Sequence, residues 1–382
     1  MKRLNTEKLH ALLTARNSDD AAAGRVGGSC LCVHQDGELC YEGFFGTDPA
    51  FGAPITETTI FRMASMTKPV TAVAALILHD EGKLDLNAPI SRWLPDFAEQ
   101  NIVDPDENGN LKVVGQAKTP ITAVHLLTHT SGIGTGVVGN LQQRAMPANA
   151  AVSLQGITAY YARAGLAFEP FTRNDYSATA AFNVMGRLVE ILSGQTYDDF
   201  LRERIFAPCG MCDTTFTPTD AQWQRMIPMH DYRDGIACPG KTTPGCVFED
   251  CPCCSCQAGA GLISTLHDYS RFAGMLLHGG AINGQRILSQ EAIDLMRHPY
   301  VTPDMMPGSG YSRGLGVRVV TNSADPALPV GTYGWSGAYG THFWVDPVNR
   351  ITAVYLKNSR YDGGAGCVTG VNFEKDVAAA LV

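Results

Sequence analysis

The sequence predicts an α/β (α+β) protein: an antiparallel sheet flanked by helices, with a mostly helical domain inserted into it. Three observations carry this. Strand-like runs occur near residues 26–46 and again from Tyr333 onward. Helical periodicity is concentrated between them. No regular strand–helix–strand alternation runs through the chain, which argues against a doubly wound parallel sheet. The predicted division assigns residues 1–62 and 257–382 to the sheet domain. Residues 63–256 form the helical one, with a cysteine-rich loop over 209–256.

The elements follow in order. "MKRLNTEKLHALLTAR" reads as a short amphipathic helix. "SCLCVHQDGELCYEG" reads as a hairpin about a two-residue Asp36-Gly37 turn. That register sets Cys40 opposite Val33 and Cys32 opposite Tyr41, so Cys30 and Cys32 share one face and Cys40 takes the other. A helix is expected from about Ser65 to Glu81, stopped by Gly82. Residues 83–120 are rich in turn formers, including "DPDENGN". A short helix through "ITAVHLLTHT" stops at Gly132, and "GIGTGVVGN" reads as a mobile surface loop. The clearest helix covers residues 176–193, with Phe182, Met185, Leu188, Val189 and Leu192 at helical spacing and Gly194 after it. "GAGLIS" reads as a strand, and Thr265 with Asp268 as a capping-box variant. "YGWSGAYGTHFWVDP" and "RITAVYLKN" read as two strands joined near Val348-Asn349.

Composition narrows the function. The chain has 382 residues, 45% of them apolar and 17% charged, enough for a substantial core. A net charge of −8, with no long Lys/Arg run, argues against nucleic-acid or anionic-membrane partners. The best apolar run, Pro69 to Leu78, is about half the roughly 20 residues of a membrane span. With no signal-peptide pattern, a cytoplasmic, bacterial protein with reduced thiols is expected.

Ser65-Met66-Thr67-Lys68 is the single Ser-x-x-Lys of the chain. At a helix start, positions i and i+3 share a face, so the amine can reach the hydroxyl. Serine is a weak nucleophile that needs such a base, and a desolvated lysine can lose its proton and act as one. The same tetrapeptide is common at exposed helix starts. Here it opens the apolar run "PVTAVAALIL", where a lysine needs a reason. "GWSGA" offers a competing nucleophile in Ser336, one residue short of a G-x-S-x-G elbow. The elbow requires an acid and then a histidine after the serine, and His342 is the last histidine, so the elbow is rejected.

Several segments align with one family. "FRMASMTKPVTAVAALILHDEGKLDLNAPI", "LLTHTSG", "NDYSATAAFNVMGRLVEILSGQTY", "GAGLISTLHDYSRFAGML" and "YGWSGAYGTHFWVDP" resemble, in order, the motifs of serine β-lactamase-like and penicillin-binding-protein-like hydrolases. The resemblance covers about residues 26–360. It implies a β-lactamase/transpeptidase-like fold with the active site between the two domains. It also implies Ser65 as acylated nucleophile, Lys68 and Tyr176 sharing acid–base work, and the N–H groups of Ser65 and Ala338 as oxyanion hole. Trp335, Ser336, Gly337 and Tyr339 would line the substrate site. Ala178 stands where β-lactamases usually have the asparagine of Tyr-x-Asn, and Trp335-Ser336-Gly337 where they usually have Lys-Thr-Gly. Losing that cation and amide favours less anionic substrates. The pattern is similar to family VIII carboxylesterases. It implies cleavage of a small-molecule ester, with amide hydrolysis by a D-amino-acid peptidase, β-lactam hydrolysis or acyl transfer as alternatives, and no cofactor.

The remaining rivals are a non-catalytic binding module, against which the intact Ser65, Lys68 and Tyr176 argue, and a zinc or redox module built on Cys209-x-x-Cys212 and Cys253-x-x-Cys256. About 40 residues separate the pairs, against roughly 15 to 20 in zinc ribbons. Cys209 also stands where similar proteins carry a leucine. Free thiols or an adventitious bridge are therefore expected, and no metal.

Overall fold

The computed structural model describes residues 1–48, 52–234, 236–240, 257–322, 327–359, 362 and 366–382. Helix α1 (Thr6–Ala22) leads into β1 (Gly28–Gln35) and β2 (Glu38–Gly46). Five strands from the C-terminal part complete the sheet: β3 (Tyr311–Arg313), β4 (Arg318–Val320), β5 (Tyr333–Ser336), β6 (His342–Asp346) and β7 (Ile351–Lys357). Their order is β3-β4-β5-β6-β7-β1-β2, antiparallel throughout. The two chain ends thus pair directly, β1 with β7.

Strand alternation divides the sheet residues between two cores. Cys30, Cys32, Phe343, Val345, Val354 and Leu356 face the large core. There they meet α2 (Thr67–Asp80), α5 (Ala180–Ser193) and α6 (Leu266–Leu277). Leu31, Val33, Trp344, Ala353 and Tyr355 face the smaller one, closed by Leu9 and Leu13 of α1 and by Phe373 and Val377 of α7 (Val368–Ala379). Covered on both faces, β7 is buried at every position. Helix α2 is buried from Thr67 to Leu78, as an all-round apolar helix must be.

Several local expectations need correction. The hairpin turn forms at Asp36-Gly37, with both φ angles positive. A β-bulge at Cys40 then sets Val33 opposite Tyr41 and Cys32 opposite Glu42. One extra residue on one strand shifts the register, which the turn cannot reveal. "GTGVVGN" is no mobile loop: α4 (Gly136–Ala145) begins within it. A Cβ at Gly139 would collide with the Gly134 backbone, and one at Gly134 with Ala180, so these glycines permit close contact. The helix expected from residue 176 begins at Ala180, and Leu192 is only partly buried. The helix before Gly132 is short, α3 (Ala123–Leu127), and a looped segment separates them. Thr265 caps α6 by accepting from the Asp268 N–H, but the Asp268 carboxylate accepts from Asp213 N and Thr214 Oγ1 instead of closing a box. "YGWSGAYGTHFWVDP" is itself a hairpin, β5–β6. "DPDENGN" tips a second ribbon, Asn101–Pro105 with Leu111–Gln116.

Among the described residues no helix is long and apolar enough to cross a membrane. Cys209 is fully buried in the large core, where burial pushes its thiol up to about 12, and Cys212 is exposed. Cys251 to Cys256 lie outside the described residues.

Candidate active site

The turn that presents Ser65, the candidate nucleophile, is built by a short strand pair and a strained residue. Phe61–Arg62 pairs with Ile263–Ser264, and Met63 N–H donates to Leu262 O. Ala64 then takes φ +46°, in the region that disfavours residues with a side chain. This reverses the chain into a 3₁₀ turn, Ala64–Met66, that runs into α2. Thr67 Oγ1 clamps the turn, donating to Ala64 O at 2.7 Å and accepting from Leu262 N–H at 3.1 Å.

Ser65 Oγ lies 2.7 Å from Tyr176 Oη and 3.1 Å from Lys68 Nζ. Lys68 is fully buried, and its amine also donates to Ala178 O at 2.6 Å and Gly259 O at 2.8 Å. Those two acceptors satisfy the two N–H groups of a neutral amine and leave its lone pair toward the Ser65 hydroxyl. The ammonium uses its third N–H on the same oxygen. Both protonation states are therefore fully hydrogen-bonded, which a proton carrier requires. Burial pushes the Lys68 amine below its ordinary value, against the opposing pull of Tyr176. Burial would raise the Tyr176 phenol, but Lys68, the Ser65 hydroxyl and Arg313 together bring it below its ordinary value.

Tyr176 precedes α5 on an irregular segment, 38% exposed, with its hydroxyl reaching inward to Ser65. The "LLTHTSG" loop holds that segment. Asp175 N–H donates to His129 O, Ser177 N–H to His129 Nδ1 at 3.2 Å, and Asn174 Nδ2 to Thr128 O at 2.8 Å. Burial, with Arg313 and Lys68 nearby, keeps His129 well below the usual histidine value and so neutral. Its Nδ1 accepts, so Nε2 carries the proton. Gly259 is set against residues 178–179: a Cβ there would lie 2.7 Å from Thr179 Cα. This contact lets both carbonyls reach Lys68.

The β5–β6 hairpin closes the other side. Gly337 N–H donates to Thr341 O at 2.7 Å, and Thr341 Oγ1 donates to Met63 O at 3.1 Å, tying the hairpin to the nucleophile turn. A Cβ on Gly337 would lie 2.5 Å from Met63 O. Among the described residues, neither Ser65 N–H nor Ala338 N–H has a partner, and Ala338 is exposed. Trp335 is 5% exposed. Its ring stacks with His129 at 5.7 Å, lies 6.2 Å from the Tyr176 ring, and carries the Arg313 guanidinium at 5.0 Å. Tyr339 is half-buried and its carbonyl accepts from Ser359 N–H.

Ser336 lies on the opposite face of β5 from Trp335. Its Oγ is 2.7 Å from His342 Nδ1, and His342 Nε2 is 3.0 Å from Glu374 Oε1, which also accepts from Arg318 at 2.6 Å. The histidine and acid that sequence order hid are thus present in space. Ser336 is nevertheless buried and followed by a hairpin, where an elbow would continue into a helix. Sequence reasoning missed this chain, along with His129, Gly259 and Arg313. The first signal for His129 was the "LLTHTSG" motif itself; Arg313 had none.

The β-lactamase family model ("Beta-lactamase") matches residues 13–372. Protein Rv1367c of Mycobacterium tuberculosis is 34% identical over 364 residues, covering 87% of this chain and 86% of the relative. Esterase EstB of Burkholderia gladioli is 29% identical over 392 residues, covering 96% and 94%. A solved family VIII carboxylesterase superposes with a TM-score of 0.78 at 22% identity, covering 98% of this chain and 97% of the other. Penicillin-binding proteins and acyltransferases are among the further relatives.

Proposed function

Because the chain belongs to the β-lactamase family, we propose that it is a serine hydrolase that cleaves carboxylic esters through a Ser65 acyl-enzyme. The observation that carries this reading is the Ser65 hydroxyl within hydrogen-bond reach of both Tyr176 Oη and Lys68 Nζ. Ser65 Oγ attacks the ester carbonyl as its proton passes to the Lys68–Tyr176 pair. The oxyanion of the tetrahedral intermediate takes hydrogen bonds from the N–H groups of Ser65 and Ala338. The pair returns the proton to the leaving alkoxide, giving the free alcohol and acyl-Ser65. Water then attacks, deprotonated by the same pair, and the acid leaves as Ser65 is reprotonated.

Similarity to an esterase over most of both chains favours ester over β-lactam turnover. The test is hydrolysis of short-chain p-nitrophenyl esters and of a chromogenic cephalosporin by the protein and by Ser65→Ala. Ester turnover that disappears in the variant is expected, with little cephalosporin cleavage. Undiminished ester turnover by Ser65→Ala would overturn the nucleophile. Fast cephalosporin cleavage without ester turnover would overturn the substrate class. Release of a D-amino acid from its amide, or diversion of the acyl group to an added alcohol, would identify the peptidase or transferase reading.

A further inference from the structure

Around the Trp335 indole the structure gathers hydrogen-bond donors that, among the described residues, are without an acceptor or nearly so. Trp335 Nε1 and His129 Nε2 are buried, on side chains 5% and 1% exposed, and neither has a partner among the described residues. Both carry hydrogen: the indole always, and the imidazole because its Nδ1 accepts from Ser177. The third member is Arg313 on β3. It lies across the ladder from Arg318, but the two arginines have opposite fates. Arg318 is paired with Glu374. The Arg313 side chain makes one long hydrogen bond, Nε to Asn174 Oδ1 at 3.4 Å, and has no carboxylate within ion-pair distance among the described residues. Its guanidinium lies over the Trp335 ring, close enough to Tyr176 and His129 to shift both. Burial lowers it to about 10, so it remains charged at neutral pH.

A half-buried cation over the Trp335 ring and near Tyr176, with its fork of N–H groups unused among the described residues, is costly unless a ligand completes it. The complement of a planar guanidinium is a carboxylate, which accepts two parallel N–H bonds. We propose that Arg313 is the anion-recognition residue of this cleft, so that preferred substrates carry a carboxylate near the scissile carbonyl. The proposal rests on the Ser65 acyl-enzyme reading and refines its substrate class. It reverses the expectation drawn from the missing Lys-Thr-Gly lysine. The cation is present, but it comes from β3, over the indole.

The carboxylate can belong to the acyl chain or to the leaving group, and two substrate pairs separate these. On the acyl side, mono-p-nitrophenyl adipate is compared with its methyl ester. On the leaving-group side, 4-acetoxybenzoate is compared with its methyl ester. The readout is the anionic-to-neutral ratio of kcat/KM in the protein, Arg313→Met and Arg313→Lys. A ratio cancels any effect of Arg313 on Tyr176. In at least one pair the ratio should fall about 10-fold or more in Arg313→Met, mostly through KM, and recover partly in Arg313→Lys. An unchanged ratio in both pairs overturns the proposal. Labelling of Ser65 by a fluorophosphonate verifies that each variant is folded. If Ser65 labels but no ester is cleaved, the esterase reading fails by itself. Protection of Ser65 from the probe by 4-hydroxybenzoate or monomethyl adipate, lost in Arg313→Met, then supports the anion site. Absence of protection by both overturns it.

Discussion

At the scale of single residues, the site depends on keeping a lysine dry beside a serine. Lys68 is held by two backbone carbonyls and the Ser65 hydroxyl, with its Nζ 4.9 Å from the Tyr176 ring centroid. On the proposed mechanism, removing either Lys68 or Tyr176 leaves Ser65 without its proton acceptor. Lys68→Ala and Tyr176→Phe should each lower kcat by about 10²- to 10⁴-fold, measured on a p-nitrophenyl ester with Ser65 labelling as the fold control. The pH profile follows from the charges. Lys68 and Tyr176 both lie below their ordinary values, so kcat/KM should rise with pH through a shared apparent pKa below that of either group alone in water. Arg313 helps depress the phenol, so Arg313→Met should move this limb to higher pH. A limb that stays in place would separate Arg313 from the base pair.

At the scale of elements, the cleft is set by how closely the β5–β6 hairpin approaches the nucleophile turn. Gly337 leaves no room for a side chain, since its Cβ would meet both Thr341 Oγ1 and Met63 O. Gly337→Ala must push the Ala338 N–H away from Ser65, and a displacement of about 1 Å costs on the order of 10²-fold in rate. The expected result is a fall in kcat with smaller loss of stability, read by kinetics and thermal melting. A second close approach, Gly139 on Gly134, holds α4 in place at some distance along the chain from the catalytic groups. Gly139→Ala should cost about 1–3 kcal/mol of stability through overpacking, measured by denaturant unfolding.

At the scale of the whole molecule, one buried hydrogen-bonded chain ties β5 to the C-terminal helix. Ser336 on β5, His342 on β6 and Arg318 on β4 meet Glu374 on α7. Burial alone would raise the Glu374 carboxyl, but His342 and Arg318 hold it at about 2. A depressed carboxyl contributes stability that is complete above its unfolded value of roughly 4.3 and is lost as pH falls toward the folded value. The protein should therefore lose on the order of 3 kcal/mol between about pH 4.5 and 2 through this group. Glu374→Gln should be less stable at pH 7 and show a flatter acid transition. An identical acid transition in the variant would remove Glu374 from that role.

The sequence by itself determined the antiparallel sheet built from both parts of the chain and singled out Ser65, Lys68 and Tyr176, whose side chains the fold brings together. Those signals are short-range: strand alternation, the i, i+3 spacing at a helix start, and ordered motifs. The bulge at Cys40, the helix hidden in "GTGVVGN" and the Ser336–His342–Glu374 chain were decided by tertiary structure. So was the setting of Arg313, which among the described residues has no carboxylate partner and one side-chain hydrogen bond, across 139 residues. A bulge displaces register without leaving a compositional mark, and a glycine reads as flexible until the backbone packed against it is known. Whether a charge is paired depends on which distant strands and loops meet around it, and only the folded chain decides that.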